Sequence, residues 1–114
     1  MAFGTRVRFE ELRRVAFGGI GAAYAALGGA TSDHTRVICI FNGTDADVDI
    51  SLDGVTTFIC VAAHSGQIFD FTTNKVRDDG LFLQEGTIFY QKRTSGAPSV
   101  GNLWIEVLYA DGGV

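Results

Sequence analysis

At 114 residues, 46% of them hydrophobic and 19% charged, the chain has the size and composition of one globular domain with a modest core, which excludes intrinsic disorder. A net charge of −4 opposes generic binding to phosphate backbones, and no stretch approaches the roughly 20 apolar residues of a membrane span. The two cysteines, Cys39 and Cys60, do not make a disulfide scaffold; each lies in an apolar run, as small buried hydrophobes do.

The positive charge is uneven. Arg6, Arg8, Arg13 and Arg14 crowd the first fourteen residues, offset by Glu10 and Glu11, whereas Asp45, Asp47, Asp49 and Asp53 crowd a later segment. Residues 1–14 read as a basic arm leading into the domain, on helical or strand spacing alike: Phe9, Leu12 and Arg13 suit a helical turn, and Val7 and Phe9 alternate with Arg6 and Arg8. Residues 15–110 read as the folded domain and 111–114 as a flexible tail. The small, apolar segment Ala16 to Ala30 is poor in Leu and Ile and follows two glutamates, so it does not read as a signal peptide.

Strand signals follow in order. Val15 to Phe17 starts a first strand, loosened by Gly18, Gly19 and Gly21, and Ala22 to Leu27 suits a helical turn on propensity. The β-branched run Arg36 to Phe41 predicts a strand buried on both faces or a central strand. Asn42-Gly43 is the strongest hairpin signal in the chain. Asp47 to Leu52 alternates strictly, predicting a half-exposed strand with Val48, Ile50 and Leu52 inward and Asp47, Asp49 and Ser51 outward. Asp53-Gly54 marks a turn; Thr56 to Ala62 and Gln67 to Phe71 are further strands. A polar loop, Thr72 to Gly80, precedes a short strand, Leu81 to Leu83. Thr87 to Arg93 and Asn102 to Tyr109 complete the set, the last being the strongest. About eight short strands at turn spacings of eight to twelve residues predict an all-β fold: an antiparallel, jelly-roll-like β-sandwich.

No constellation of catalytic residues emerges. Asp45, Asp47 and Asp49 have the spacing that opens a calcium loop, but Ile50 and Thr56 stand where that loop needs Gly and Glu. An acidic docking stripe or a solvated strand face remains. Cys60 and His64 are four apart without companions for zinc, and a thiol within Phe58 to Val61 reads as buried and inert. Gly18, Gly19 and Gly21 lack the Lys-Ser/Thr of a phosphate cradle. Trp104, Tyr24, Tyr90 and Tyr109 read as core aromatics, with a sugar platform as the alternative. Asn42-Gly43-Thr44 is formally a glycosylation sequon.

The motifs taken together carry a resemblance. Ala16 to Gly28 with its glycines and Tyr24, then Arg36 to Asp45, Val48 to Gly54, Phe69 to Lys75, Gly80 to Thr87, and Pro98 to Tyr109 around Trp104 form an ordered string. That string, from Leu12 onward, resembles a family of small virion structural proteins of tailed bacteriophages. The resemblance implies a non-enzymatic structural protein, without cofactor, metal or small-molecule substrate, assembled in the bacterial cytoplasm into the virion. Its expected place is the head–tail or tail connector. Capsid decoration, or a carbohydrate-binding sandwich on a tail fibre, are the alternatives. Its partners would be copies of itself and other virion proteins, not nucleic acid or membrane. Arg6, Arg8, Arg13 and Arg14 would form one half of the protein contacts, and Asp45, Asp47 and Asp49 the other.

Overall fold

The computed structural model describes residues 6–71 and 83–111, with Arg6, Val7, Ala110 and Asp111 described by backbone alone. Among the described residues the strands are β1 (Arg6–Phe9), β2 (Arg13–Ala16), β3 (Ala25–Ala26), β4 (Thr35–Asn42), β5 (Val48–Ser51), β6 (Ile59–Val61), β7 (Ser65–Asp70), β8 (Tyr90–Arg93) and β9 (Asn102–Asp111), with a 3-10 turn at Phe17–Gly19. They form two antiparallel sheets. The first runs β1/β2–β9–β4–β7, and the second β3–β8–β5–β6. From β2 onward this is the strand order of a jelly roll, two Greek keys wrapped into a sandwich, as the spacing of turn signals predicts. The expected strand Leu81 to Leu83 falls mostly outside the described residues; Leu83 itself forms an isolated bridge to Thr35.

Alternation decides the core. Ile38 and Ile40 of β4 and Leu103, Ile105 and Val107 of β9 point inward from the first sheet; Val48, Ile50 and Val61 meet them from the second. Phe89, Leu27 and Ile20 close one end. Each such side chain contributes roughly 1.5–3 kcal/mol by leaving water. The strand β9 is the spine of its sheet, pairing with β4 along one side and with β1 and β2 along the other.

Residues 6–14, read from sequence as an arm, are built into this sheet instead. Two apolar-alternating pieces beside an unpaired edge of β9 gain a full ladder by docking there. They amount to one edge strand with one extra residue: four steps separate Phe9 from Arg13, but three separate their partners Leu108 and Ile105. That is a β-bulge. It turns Arg13 rather than Leu12 toward the core, leaving Leu12 exposed.

Three local expectations change. Asn42-Gly43 makes no hairpin, because β4 and β5 belong to different sheets and the pair forms the corner where the chain crosses between them. The side-chain amide of Asn42 donates to the carbonyls of Ala46 (2.8 Å) and Val61 (3.0 Å), and its oxygen accepts from the backbone and hydroxyl of Thr44. The sequon's nitrogen is therefore buried inside the fold. The strand β5 is not half-exposed: all four residues are buried, since β8 and β6 flank it on both sides. Finally, Ala25–Ala26 is a short strand on β8 rather than a helical turn.

Candidate docking face

The two outer faces of the sandwich differ in chemistry. On the second sheet, Asp49 points away from the core, opposite Lys92 on one side and Cys60 on the other. It accepts a hydrogen bond from the Thr94 hydroxyl (2.7 Å) and pairs with the Lys92 ammonium (3.6 Å). That ammonium stands 5.3 Å from the centre of the Tyr24 ring, and the Tyr24 hydroxyl bonds Thr57. Cys60, expected to be buried, is exposed, with its sulfur 3.8 Å from the Thr94 hydroxyl and Asp49 opposite it across the strand pair. Both cysteines are free thiols. The charged and polar side chains at the centre of this face pair with one another, and Phe58 is exposed beside them.

The outer face of the first sheet is apolar. Register places Arg14, Trp104, Phe41 and Gly66 side by side in one row across β2, β9, β4 and β7. The next row holds Glu106, Cys39 and Ile68, and the next Phe9, Leu108, Val37 and Asp70. Ile68 is 72% exposed, Phe9 66% and Phe41 48%, while Leu12 and Phe17 stand exposed at the β2 edge. A contiguous patch of this kind on one side of a sheet is uncommon in a monomer and marks a surface used for binding. Its centre is ordered by stacking: the Phe41 and Trp104 rings lie 5.4 Å apart at 24°. Gly43 backs the stack, where an added Cβ would come within 2.8 Å of the Trp104 ring. Burial, with the adjacent Glu106 carboxylate, pushes the Cys39 thiol above its ordinary value, so it stays protonated and unreactive.

The residues singled out from sequence take separate places. The Arg6 side chain lies outside the described residues. Arg8 is exposed on β1, and Arg14 is exposed on the apolar face opposite Trp104. Arg13 is not a surface anchor: it is buried, bonded to Glu10 (2.9 Å) and the Gly29 carbonyl (3.1 Å), with its guanidinium over the Phe89 ring. Burial works against the Glu10 carboxylate, but hydrogen bonds from Arg13 and Ser32 outweigh it and hold its pKa below the ordinary value. An open cleft of about 620 Å³ runs past this pair, between the bulge and Gly28–Ala30. The aspartates form no continuous stripe. Asp45 accepts from the backbone and hydroxyl of Ser99, which pins the β8–β9 loop, and its pKa is lowered by those bonds. Asp47 accepts from the Ala63 amide, and Asp49 is buried.

Sequence reasoning missed Phe41, Ile68 and Phe9 as surface residues. Only parity within the strands could have found them: Phe41 alternates with Ile40, and Ile68 with Phe69. Among the described residues no three His, Cys, Asp or Glu side chains converge as metal ligands. Comparison with known proteins finds no matching family model, no matching curated protein and no matching solved structure.

Proposed function

We propose that this chain is a non-enzymatic structural component of a tailed-phage virion, docking as an oligomeric unit at the head–tail or tail connector. The observation that carries the docking part is the apolar outer face of the β1/β2–β9–β4–β7 sheet, with Ile68, Phe9 and Phe41 exposed on it. The jelly-roll strand order supports the viral part by analogy alone, since viral capsid and lectin domains both use that architecture. The resemblance in the sequence motifs points the same way. Counting copies in imaged particles tests the reading. A connector ring gives on the order of ten copies per particle, and a capsid-decorating lattice on the order of hundreds, because closed rings and lattices repeat differently. Absence of the chain from assembled particles removes the reading altogether.

The stacked Phe41–Trp104 pair favours a second reading, a carbohydrate platform. Trp104 is the sole tryptophan, so its emission is a clean probe. Titration with oligosaccharides leaves that emission unchanged if the face docks protein, and shifts it saturably if the face binds sugar.

A further inference from the structure

The charges on the apolar face restrict what can cover it. Glu106 stands among Trp104, Cys39 and Leu108 in the middle of the sheet, on its spine strand. Arg14 lies on β2 opposite Trp104, hence one strand over and one row along from Glu106. Both are held in the sheet by their backbones, and among the described residues neither side chain makes a hydrogen bond or an ion pair. A purely apolar occupant would leave the Glu106 carboxylate buried and unpaired, which is strongly unfavourable. An occupant that brings a cation to that point, together with apolar groups matched to the rest, avoids this cost.

Resting on the docking role above, we propose that the occupant is a second copy of this chain, related by a two-fold axis lying in the contact plane. The axis runs across the strands between the Trp104 row and the Glu106 row. This operation exchanges the two rows. Each copy's Arg14 then arrives one strand spacing, ~4.8 Å, from the other copy's Glu106, within reach of a long side chain. The same operation sets Phe41 over the smaller Cys39. It also sets Ile68, the most exposed side chain of the face, over Gly66, which has none. On β4 and β7 large meets small, and Arg14 meets Glu106 beside the β9 position where each copy's Trp104 lies over the other's Glu106, the kind of self-complementarity an isologous contact requires. The strands of the two copies stay roughly aligned, an ordinary mode of sheet packing.

The test uses the full chain in sedimentation equilibrium up to about 1 mM, the weak end of specific association. Wild type is expected to dimerise. Arg14→Glu alone and Glu106→Arg alone are each expected to weaken the dimer at least about tenfold, since like charges then meet twice per contact. A one-to-one mixture of the two variants restores both ion pairs in a heterodimer, and dimerisation returns. The doubly exchanged chain restores them in a homodimer, and circular dichroism of each variant checks folding. A wild type that stays monomeric throughout overturns the proposal. So does a dimer indifferent to both substitutions, which places the contact elsewhere. If wild type is monomeric yet Ile68→Glu blocks entry into particles, the face serves a different protein: the second-copy proposal falls and the docking role stands.

Discussion

Arg13 illustrates how one side chain can invert a reading made from charge. By composition it belongs to a basic cluster; by register it is the core-facing residue opposite Ile105. Its guanidinium bonds Glu10 and Gly29 and covers Phe89, while Glu10 also accepts from the amide and hydroxyl of Ser32. The edge strand is thus tied through two buried charges to the loop that follows β3. Removing one partner of a buried pair strands the other. Arg13→Ala is therefore expected to lower the stability by about 2–4 kcal/mol in urea denaturation. Replacing both charges, Arg13→Met with Glu10→Gln, is expected to recover much of that loss, because a neutral amide can keep the Ser32 contacts. A double variant as unstable as the sum of the singles would mean that Arg13 acts through packing alone. Charge reversal at Arg14, by contrast, leaves the fold intact, since that side chain is exposed.

At the level of elements, the junctions between sheets carry the specificity of the fold. The crossing from β4 to β5 is held by Asn42 and Thr44, and the entry into β9 passes over it at Gly101. Gly101 has φ +94°, and a Cβ there would lie 2.1 Å from the Gly43 carbonyl oxygen. Gly101→Ala is expected to cost about 3 kcal/mol or more, combining a strained backbone with a contact that forces the two corners apart. Gly96→Ala in the adjoining loop, where the new methyl meets nothing within 4 Å, is the control and is expected to change the thermal midpoint little. Equal effects at the two positions would refute the close packing of these corners. These junctions also mark where the sequence was legible. Runs such as Arg36 to Phe41 and Asn102 to Tyr109 located the strands, because β-branched and aromatic side chains favour a pleated surface. Sheet membership was hidden. Asn42-Gly43 announces a change of direction, and nothing local says whether the next strand returns to the same sheet. Burial of Asp49 was hidden as well: its parity was read correctly, but Lys92 and Thr94, which cover it, come from more than forty residues away. The one-residue bulge that directs Arg13 inward has no signature in composition, and the apolar face was concealed because an unbroken apolar run looks the same whether one or both of its faces are buried.

Across the whole molecule, acidic side chains act as loop fasteners, and this fixes how stability responds to pH. Asp53 accepts from the amides of Val55 and Thr56 and from the Ser51 hydroxyl, and its pKa falls to about 2 with the Thr56 amide as the largest cause. Asp45 fastens Ser99 and Glu10 fastens Ser32, and both titrate below their ordinary values. A carboxyl group whose pKa is depressed by folding contributes stability that is fully present above its unfolded value and disappears as pH falls through its folded value. Here the unfolded values are 4.5 for Glu10 and 3.8 for both aspartates, so the thermal midpoint should hold from neutrality to about pH 5 and then decline. The decline should continue down to about pH 2, where Asp53 finally protonates. Asp53→Asn keeps an acceptor oxygen for the two amides but no longer titrates. In that variant the section of the decline between about pH 4 and pH 2 should flatten, while the onset near pH 4.5, which belongs to Glu10, persists. Midpoints measured by circular dichroism at half-unit steps decide the matter. An unchanged acid limb in Asp53→Asn would mean that the β5–β6 loop opens before its carboxylate is protonated, and that the fastening at Asp53 is decoupled from global unfolding.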